Sequence, residues 1–328
     1  VTVDNSSAEN HCTIFTVAES PLDENQVWVG TDDGNLQLST DAGKTWTNLC
    51  KNVTGLPANT WVSSIEPSKY DKMICYATFD GHATGDMNSY VYKTADGGKT
   101  WTRLGPDGLK GYAHKVKEDV VNQNLLFVGT EMGLFVSVDD GKAWAQMTGN
   151  IPNVAVRDIA IHPTKNDLML ATHGRSILII DDITPIRAIT PEVLNSEAYI
   201  LPSRPNYVSL STLGGSYPTT AGDFSAPNPT DEAVITYYLK DRVVTGAVKI
   251  EIYDADGKLI STQDGTKRKG INRVTWSMRM KPPKAAIGAQ IEGNSTIGPL
   301  VDPGTYTVKL IKGDKTFTGK LELLADPK

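Results

Sequence analysis

A chain of 328 residues can hold one or two domains with substantial cores. Its 32 Lys and Arg against 38 Asp and Glu leave a net charge of −6, which argues against a general electrostatic grip on nucleic acid or on an anionic membrane. No run approaches the roughly 20 apolar residues of a membrane-spanning helix, and three cysteines without a CxxC pair exclude a disulfide scaffold and a zinc site. Cys12, Cys50 and Cys75 read as small buried hydrophobes, with one disulfide and a spare thiol as the alternative. The first residue is Val1 rather than Met, which predicts a processed product or a fragment. Asn5, Asn52 and Asn294 open Asn-x-Ser/Thr triplets, which carry little weight in so polar a chain.

Taken in order, the chain repeats a set of four strand-like runs. The first set covers residues 12–18, 26–30, 35–39 and 45–49; the second covers 61–65, 73–79, 89–94 and 100–104. A third covers 113–117, 125–129, 134–137 and 143–147, and a fourth covers 156–162, 168–172, 176–180 and 186–189. Between the last two runs of the first three sets lies one motif, Ser/Thr-x-Asp-x-Gly-x-x-Trp. It is carried by Ser39, Asp41, Gly43 and Trp46, then by Thr94, Asp96, Gly98 and Trp101, then by Ser137, Asp139, Gly141 and Trp144. The Asp accepts backbone N–H groups two or three residues on, the Gly relaxes the turn, and the Trp packs inward from the next strand. The motif is a clip that fastens a hairpin. Short β-rich runs with turns between them, at a period near 45 residues, predict β-propeller blades.

The three clips, with Val27–Thr31, Leu126–Thr130 and Thr172–Ser176 in support, resemble those of the Asp-box (bacterial neuraminidase-type repeat) propellers. That group includes sortilin-like domains and the glycosyl-hydrolase-like xyloglucan-degrading enzymes. The resemblance spans residues from about 12 to 190 and implies an all-β fold. Four blades are visible, and relatives in the group close with more. The remaining blades are therefore expected from upstream sequence or from another chain, and the chain alone is expected to leave unpaired sheet edges.

Three regions follow: residues 1–190 as propeller, 191–230 as a Pro/Gly-rich linker, and 231–328 as an Ig-like or fibronectin-like β-sandwich. The linker is read from seven prolines between residues 184 and 229, with 199–201 as an anchoring patch. The sandwich is read from alternation at Val248, Ile250 and Ile252, from Trp276 as core centre, and from a hairpin turn at Lys312–Lys315. Residues 281–300 read as a long exposed loop.

Chemistry is expected at the loops joining strands two and three, which meet around the central channel. They offer Asp32 and Asp33, then Asp80, His82 and Asp86, then Glu131, then His173 and Arg175. Asp33, Asp80 and Glu131 are the candidate catalytic carboxylates for glycoside hydrolysis, which needs a pair of them. Asp32, His82, Asp86, His173 and Arg175 are the candidate ligand-binding residues. The same Asp-Gly and Glu-x-Gly patterns also build plain hairpin turns. Trp61, Tyr70 and Tyr112 are aromatics at or near these loops. Neuraminidases hold a substrate carboxylate with three arginines, and here only Arg175 falls in such a loop. Clip residues, on the opposite face, are fold determinants. No cofactor is expected: the acidic loops carry no EF-hand or nonapeptide register for Ca²⁺. The residues favour a binding or scaffold module for a protein, peptide or glycan, with a glycoside hydrolase as the alternative. The bacterial character of the Ig-like region and the absence of cysteine pairs point to an extracellular, periplasmic or outer-surface location in a bacterium.

Overall fold

The computed structural model describes residues 12–105, 107–208, 230–284, 286, 288, 290 and 297–326. The triplets at Asn5 and Asn294 and much of the expected linker and loop lie outside the described residues. The chain divides into two units, Val1–Ile180 and Asp181–Lys328.

Unit one holds four antiparallel sheets, each with its strands in chain order. Blade one is β1 (Ile14–Ser20), β2 (Asp23–Thr31), β3 (Leu36–Ser39) and β4 (Thr47–Asn48). Blade two is β5 (Trp61–Pro67), β6 (Cys75–Asp80), β7 (Tyr90–Thr94) and β8 (Thr102–Arg103). Blade three is β9 (Ala113–Glu118), β10 (Leu126–Thr130), β11 (Gly133–Ser137) and β12 (Ala145–Gln146). Blade four has three strands, β13 (Val156–Ile161), β14 (Leu168–Thr172) and β15 (Ile177–Ile180). The strand expected at 186–189 is instead the end of a short helix, α1 (Thr184–Arg187). Pro185 sits at its first turn, where a missing N–H costs nothing. First strands of successive blades run against one another, β1 on β5, β5 on β9 and β9 on β13. They form the hub, as expected of propeller blades.

The clip works through two side chains. Ser39 Oγ donates to Asp41 Oδ1 at 2.8 Å and accepts the Gly43 N–H at 2.8 Å. Asp41 accepts the Thr45 N–H at 2.8 Å and the Thr45 hydroxyl at 2.6 Å. Thr94, Asp96, Gly98 and Thr100 repeat the set in blade two, and Ser137, Asp139, Gly141 and Ala143 repeat its backbone part in blade three. The Asp thus reaches four residues on, further than the two or three expected, because the Ser or Thr hydroxyl takes the nearer N–H. Thr hydroxyls and backbone N–H groups hold the carboxyls of Asp41 and Asp96 down to about 2.

The clip tryptophans do not all pack inward. Trp101 and Trp144 are 5% and 8% exposed, whereas Trp46 is 44% exposed. Trp101 lies in one core with Trp28 and Leu49 of blade one, and Trp144 in one with Tyr76 and Leu104 of blade two. Each packs on the blade before its own. Among the described residues no blade precedes blade one, and the Trp46 indole N–H donates to Gly43 O at 3.0 Å instead.

At this clip end, blades two and three are sealed by buried polar groups. Glu118 accepts the Ser68 hydroxyl at 2.8 and 3.0 Å, the Lys69 N–H at 2.8 Å and the Tyr76 hydroxyl at 3.3 Å. The same Tyr76 hydroxyl lies 3.2 Å from Asp140, which Lys93 pairs. Lys117 pairs Glu66 at 2.7 Å. Burial, against these hydrogen bonds, raises the Glu118 carboxyl above its usual range. The cysteines are all free, and only Cys75 is buried; Cys50 is half-buried and Cys12 exposed, so two of the three depart from the buried reading.

Unit two is a sandwich of two sheets around one core. Its elements after α1 are α2 (Pro191–Asn195), β16 (Ala198–Leu201), β17 (Asn206–Val208), β18 (Ala233–Leu239), β19 (Val248–Tyr253), β20 (Leu259–Asp264), β21 (Gly270–Trp276), β22 (Gly304–Lys312) and β23 (Lys315–Ala325). One sheet runs β16-β18-β21 and the other β17-β23-β22-β19-β20. Trp276 is buried in the shared core, with Tyr306 edge-on at 5.7 Å. Residues 198–201 and 206–208, expected in the linker, are strands of the sandwich: β16 pairs with β18, and β17 runs parallel to β23. Pro202 and Pro205 keep both too short for alternation to reveal them.

Candidate functional site

Each first strand carries one extra residue at the same place. Pairing to strand two slips between Ile14 and Thr16, Val62 and Ser64, Ala113 and Lys115, and Val156 and Asp158. The bulged residues are Phe15, Ser63, His114 and Arg157. A bulge bends the strand and re-aims one side chain; Phe15, His114 and Arg157 join the contacts at one end of the hub, while Ser63 bonds Thr78 and the Ala113 carbonyl. Asp32, Asp80, Glu131 and His173 stand at equivalent places where strand two ends. Three of them donate a backbone N–H to the residue before strand one, with Asp32 to Thr13 at 3.1 Å, Glu131 to Tyr112 at 3.1 Å and His173 to Ala155 at 2.9 Å. Asp80 pairs with Trp61.

In blades two to four these positions join. The buried carboxylate of Asp80 lies 2.7 Å from Nδ1 of His82, whose own N–H also donates to it at 2.9 Å. Its other oxygen is 4.0 Å from Nδ1 of His114. His114 Nε2 lies 3.1 Å from Glu131 Oε2, and Arg157 reaches Glu131 at 3.6 Å and His114 Nδ1 at 3.4 Å. Since guanidinium can only donate, His114 Nδ1 accepts and its Nε2–H donates to Glu131. Burial, and then the Arg157 charge, hold His114 below the usual imidazole range, hence neutral at pH 7. Burial would raise Glu131, but hydrogen bonds from His114 and Tyr112 and the Arg157 charge outweigh it and keep the carboxyl low. Burial and then the bond to Glu131 push the Tyr112 hydroxyl up to about 12.

An aromatic row runs beside these charges. Phe15 meets Trp61 edge-on at 4.6 Å, Trp61 lies 6.2 Å from His82, and His82 stacks on Tyr112 at 4.6 Å with 14° between planes. Tyr112 then meets His114 at 5.0 Å. The Trp61 indole N–H has no hydrogen-bond partner among the described residues.

The other candidates stand apart. Asp32 accepts the Thr13 N–H at 2.7 Å, and Asp33 takes the Thr31 hydroxyl, so both fasten the turn of blade one. Asp86 holds its own loop through Tyr90 at 2.7 Å and Asn88. His173 and Arg175 are exposed on the turn of blade four and do not belong to the Asp80–Arg157 set. Tyr70 lies at the clip end, where its hydroxyl donates to Asp119 O at 3.1 Å. His114 and Arg157 were not expected from the loops. Their signal is spacing: Ile14 to Val17, Val62 to Ile65, Ala113 to Val116 and Val156 to Ile159 are each three residues apart, one more than an unbroken strand allows on one face. Among the described residues no group of three or more His, Cys, Asp or Glu is arranged to hold a metal ion.

No protein-family model and no curated protein matches the chain. Among solved structures it is similar to YCF48 bound to D1 peptide, at 17% identity over 52% of each chain with a TM-score of 0.38. An ancestral GH74 enzyme is 15% identical over 78% of this chain and 33% of that one, with a TM-score of 0.43. The GH74 xyloglucanase from Xanthomonas campestris is 13% identical over 94% and 43%, also at 0.43. The chain spans about half or less of the length of each. No helix among the described residues is long and apolar enough to cross a membrane. Likenesses this distant say nothing of activity, and the propeller architecture stands on the four sheets themselves.

Proposed function

We propose that unit one is a binding module of the sortilin-like, Asp-box kind, which receives a protein, peptide or glycan on the hub end of its blades. Its location is extracellular, periplasmic or on the outer surface of a bacterium. The observation that carries the reading is the row Phe15–Trp61–His82–Tyr112 across three blades, lying beside the fixed charges of Glu131 and Arg157. Aromatic faces supply stacking area at little entropic cost, and fixed charges supply orientation. A row of this kind suits an extended chain better than a compact metabolite.

Hydrolysis is the second reading, because Asp80 and Glu131 flank one imidazole. It is the weaker one. A glycosidase needs one carboxyl held protonated, and Glu131 is held the other way, while Asp80 is buried and bonded by His82 through both its ring and its backbone N–H. Glycan-array and peptide-library binding by the 328-residue chain tests the choice. Binding that falls at least tenfold in Trp61→Ala and Arg157→Ala, with the melting temperature held, supports recognition. Turnover of a β-glucan or sialoside that Asp80→Ala or Glu131→Ala abolishes would overturn it.

A further inference from the structure

One face of blade one is built as an internal face, yet nothing among the described residues covers it. Strand registers make the first strands superimposable. Ile14, Val62, Ala113 and Val156 pair with Thr31, Phe79, Thr130 and Thr172; Val17, Ile65, Val116 and Ile159 pair with Val29, Ala77, Val128 and Leu170. At the first position the three later blades are 0% exposed and Ile14 is 60% exposed; at the second they are 3%, 0% and 3%, and Val17 is 59%. Ile65 lies in a core with Trp28 and Leu36 of blade one, and Val116 in a core with Tyr76 and Val91 of blade two. These positions therefore bury against the preceding blade.

The clip glycines report the same vacancy independently. A Cβ on Gly98 would meet Leu49 Cδ1 of blade one at 2.5 Å, and a Cβ on Gly141 would meet Leu104 Cδ1 of blade two at 2.7 Å. On Gly43 it would meet only its own Trp46, at 3.6 Å. Leu49 and Leu104 each stand just after the fourth strand of the blade in front. So a leucine at the end of a fourth strand seats under the next clip, and with it the clip Trp goes inside.

We propose that this face of blade one binds a further blade of the same repeat, joined ahead of β1, whose fourth strand ends in a leucine or similarly branched side chain seated on Gly43 and Trp46. At all three internal interfaces the covering blade is the one whose fourth strand leads directly into the covered first strand, β4 into β5, β8 into β9 and β12 into β13. Chain order and spatial order coincide. A second copy of this chain would have to offer its blade four, which has three strands and no fourth-strand leucine among the described residues and carries no clip in sequence.

The test joins a copy of residues 12–60, with its own Trp46→Phe change, ahead of Thr13. Acrylamide quenching of the original Trp46 is read by difference against the matching Trp46→Phe chain. The expected result is a severalfold fall in quenching and a blue shift of that emission, both reversed by Leu49→Lys in the copy alone. A second chain carrying a copy of residues 61–111 in the same place guards against a junction that fails to fold. Trp46 remaining as accessible in both extended chains as in the 328-residue chain overturns the proposal. So does a stable dimer of the unextended chain, seen by sedimentation velocity, in which Trp46 is shielded.

Discussion

The two ends of the interface between blades two and three use the same residue types to opposite effect. At the clip end, Glu118, Asp140, Tyr76, Lys93 and Ser68 saturate one another, and the central carboxylate is out of reach of water. At the hub end, Asp80, His114, Glu131 and Arg157 also cross between blades, but Glu131 and Arg157 stay partly exposed beside open aromatic faces. Charge alone does not mark a site. What separates the ends is backbone: a clip folds over one, and bulges lift side chains out of the other.

Breaking the clip end should cost stability first. Trp101→Ala removes a buried ring from the core of blades one and two and is expected to cost about 4 kcal/mol in urea unfolding, whereas Trp46→Ala, already exposed, should cost about 1 kcal/mol or less. Equal losses at the two clips would show that the first clip is covered after all. Glu118→Ala strands the Ser68 hydroxyl, the Lys69 N–H and the Tyr76 hydroxyl, at a cost of about 3 kcal/mol.

The two carboxylate types at this end also differ in pH behaviour. Glu118 is raised in the folded state, so stability is greatest below its unfolded value near 4.5 and is lost as pH rises through the folded value. Glu118→Gln should remove that loss and flatten the profile on the neutral side. Asp41 and Asp96 are depressed to about 2, so what they contribute is present above about 4 and is lost as pH falls toward 2. Asp96→Asn should therefore lower the melting temperature above about pH 4, where that contribution is present, and make the acid limb of the profile shallower. A loss in Asp96→Asn that is the same at every pH, leaving the acid limb as steep as before, would mean that the clip acts through packing rather than charge.

The clips were legible because four side-chain and glycine roles recur at fixed spacing, and a hydrogen-bonded turn leaves little choice of residue. Asp80 and Glu131 were reachable because they stand where strand two stops. His114 and Arg157 were hidden because a bulge turns a buried alternation into an extra residue, and only four strands compared side by side expose the three-residue step. Blade four misled at 186–189, since apolar Ile186 and Ile189 suit a strand as well as the turn that follows Pro185. The exposure of Trp46 was beyond reach of any motif, because the clip sequence is the same whether or not a blade lies in front of it.

The smallest expected effect on stability is the one most telling about the hub end. Arg157→Ala breaks a partly exposed pair and should change stability by about 0.5 kcal/mol or less. Yet the Arg157 charge is one of the causes that lower the His114 imidazole, so its loss should raise the His114 titration midpoint, read from imidazole NMR shifts. Glu131→Gln should do the reverse, because the hydrogen bond and charge of Glu131 favour the protonated ring. The sign has a consequence for folding. A histidine depressed in the folded state contributes stability above its unfolded value near 6.5 and loses it as pH falls, so Arg157→Ala should also soften the destabilisation between pH 7 and 5. If neither variant moves the His114 midpoint, the ring is insulated from both neighbours, and the hub end is as sealed as the clip end.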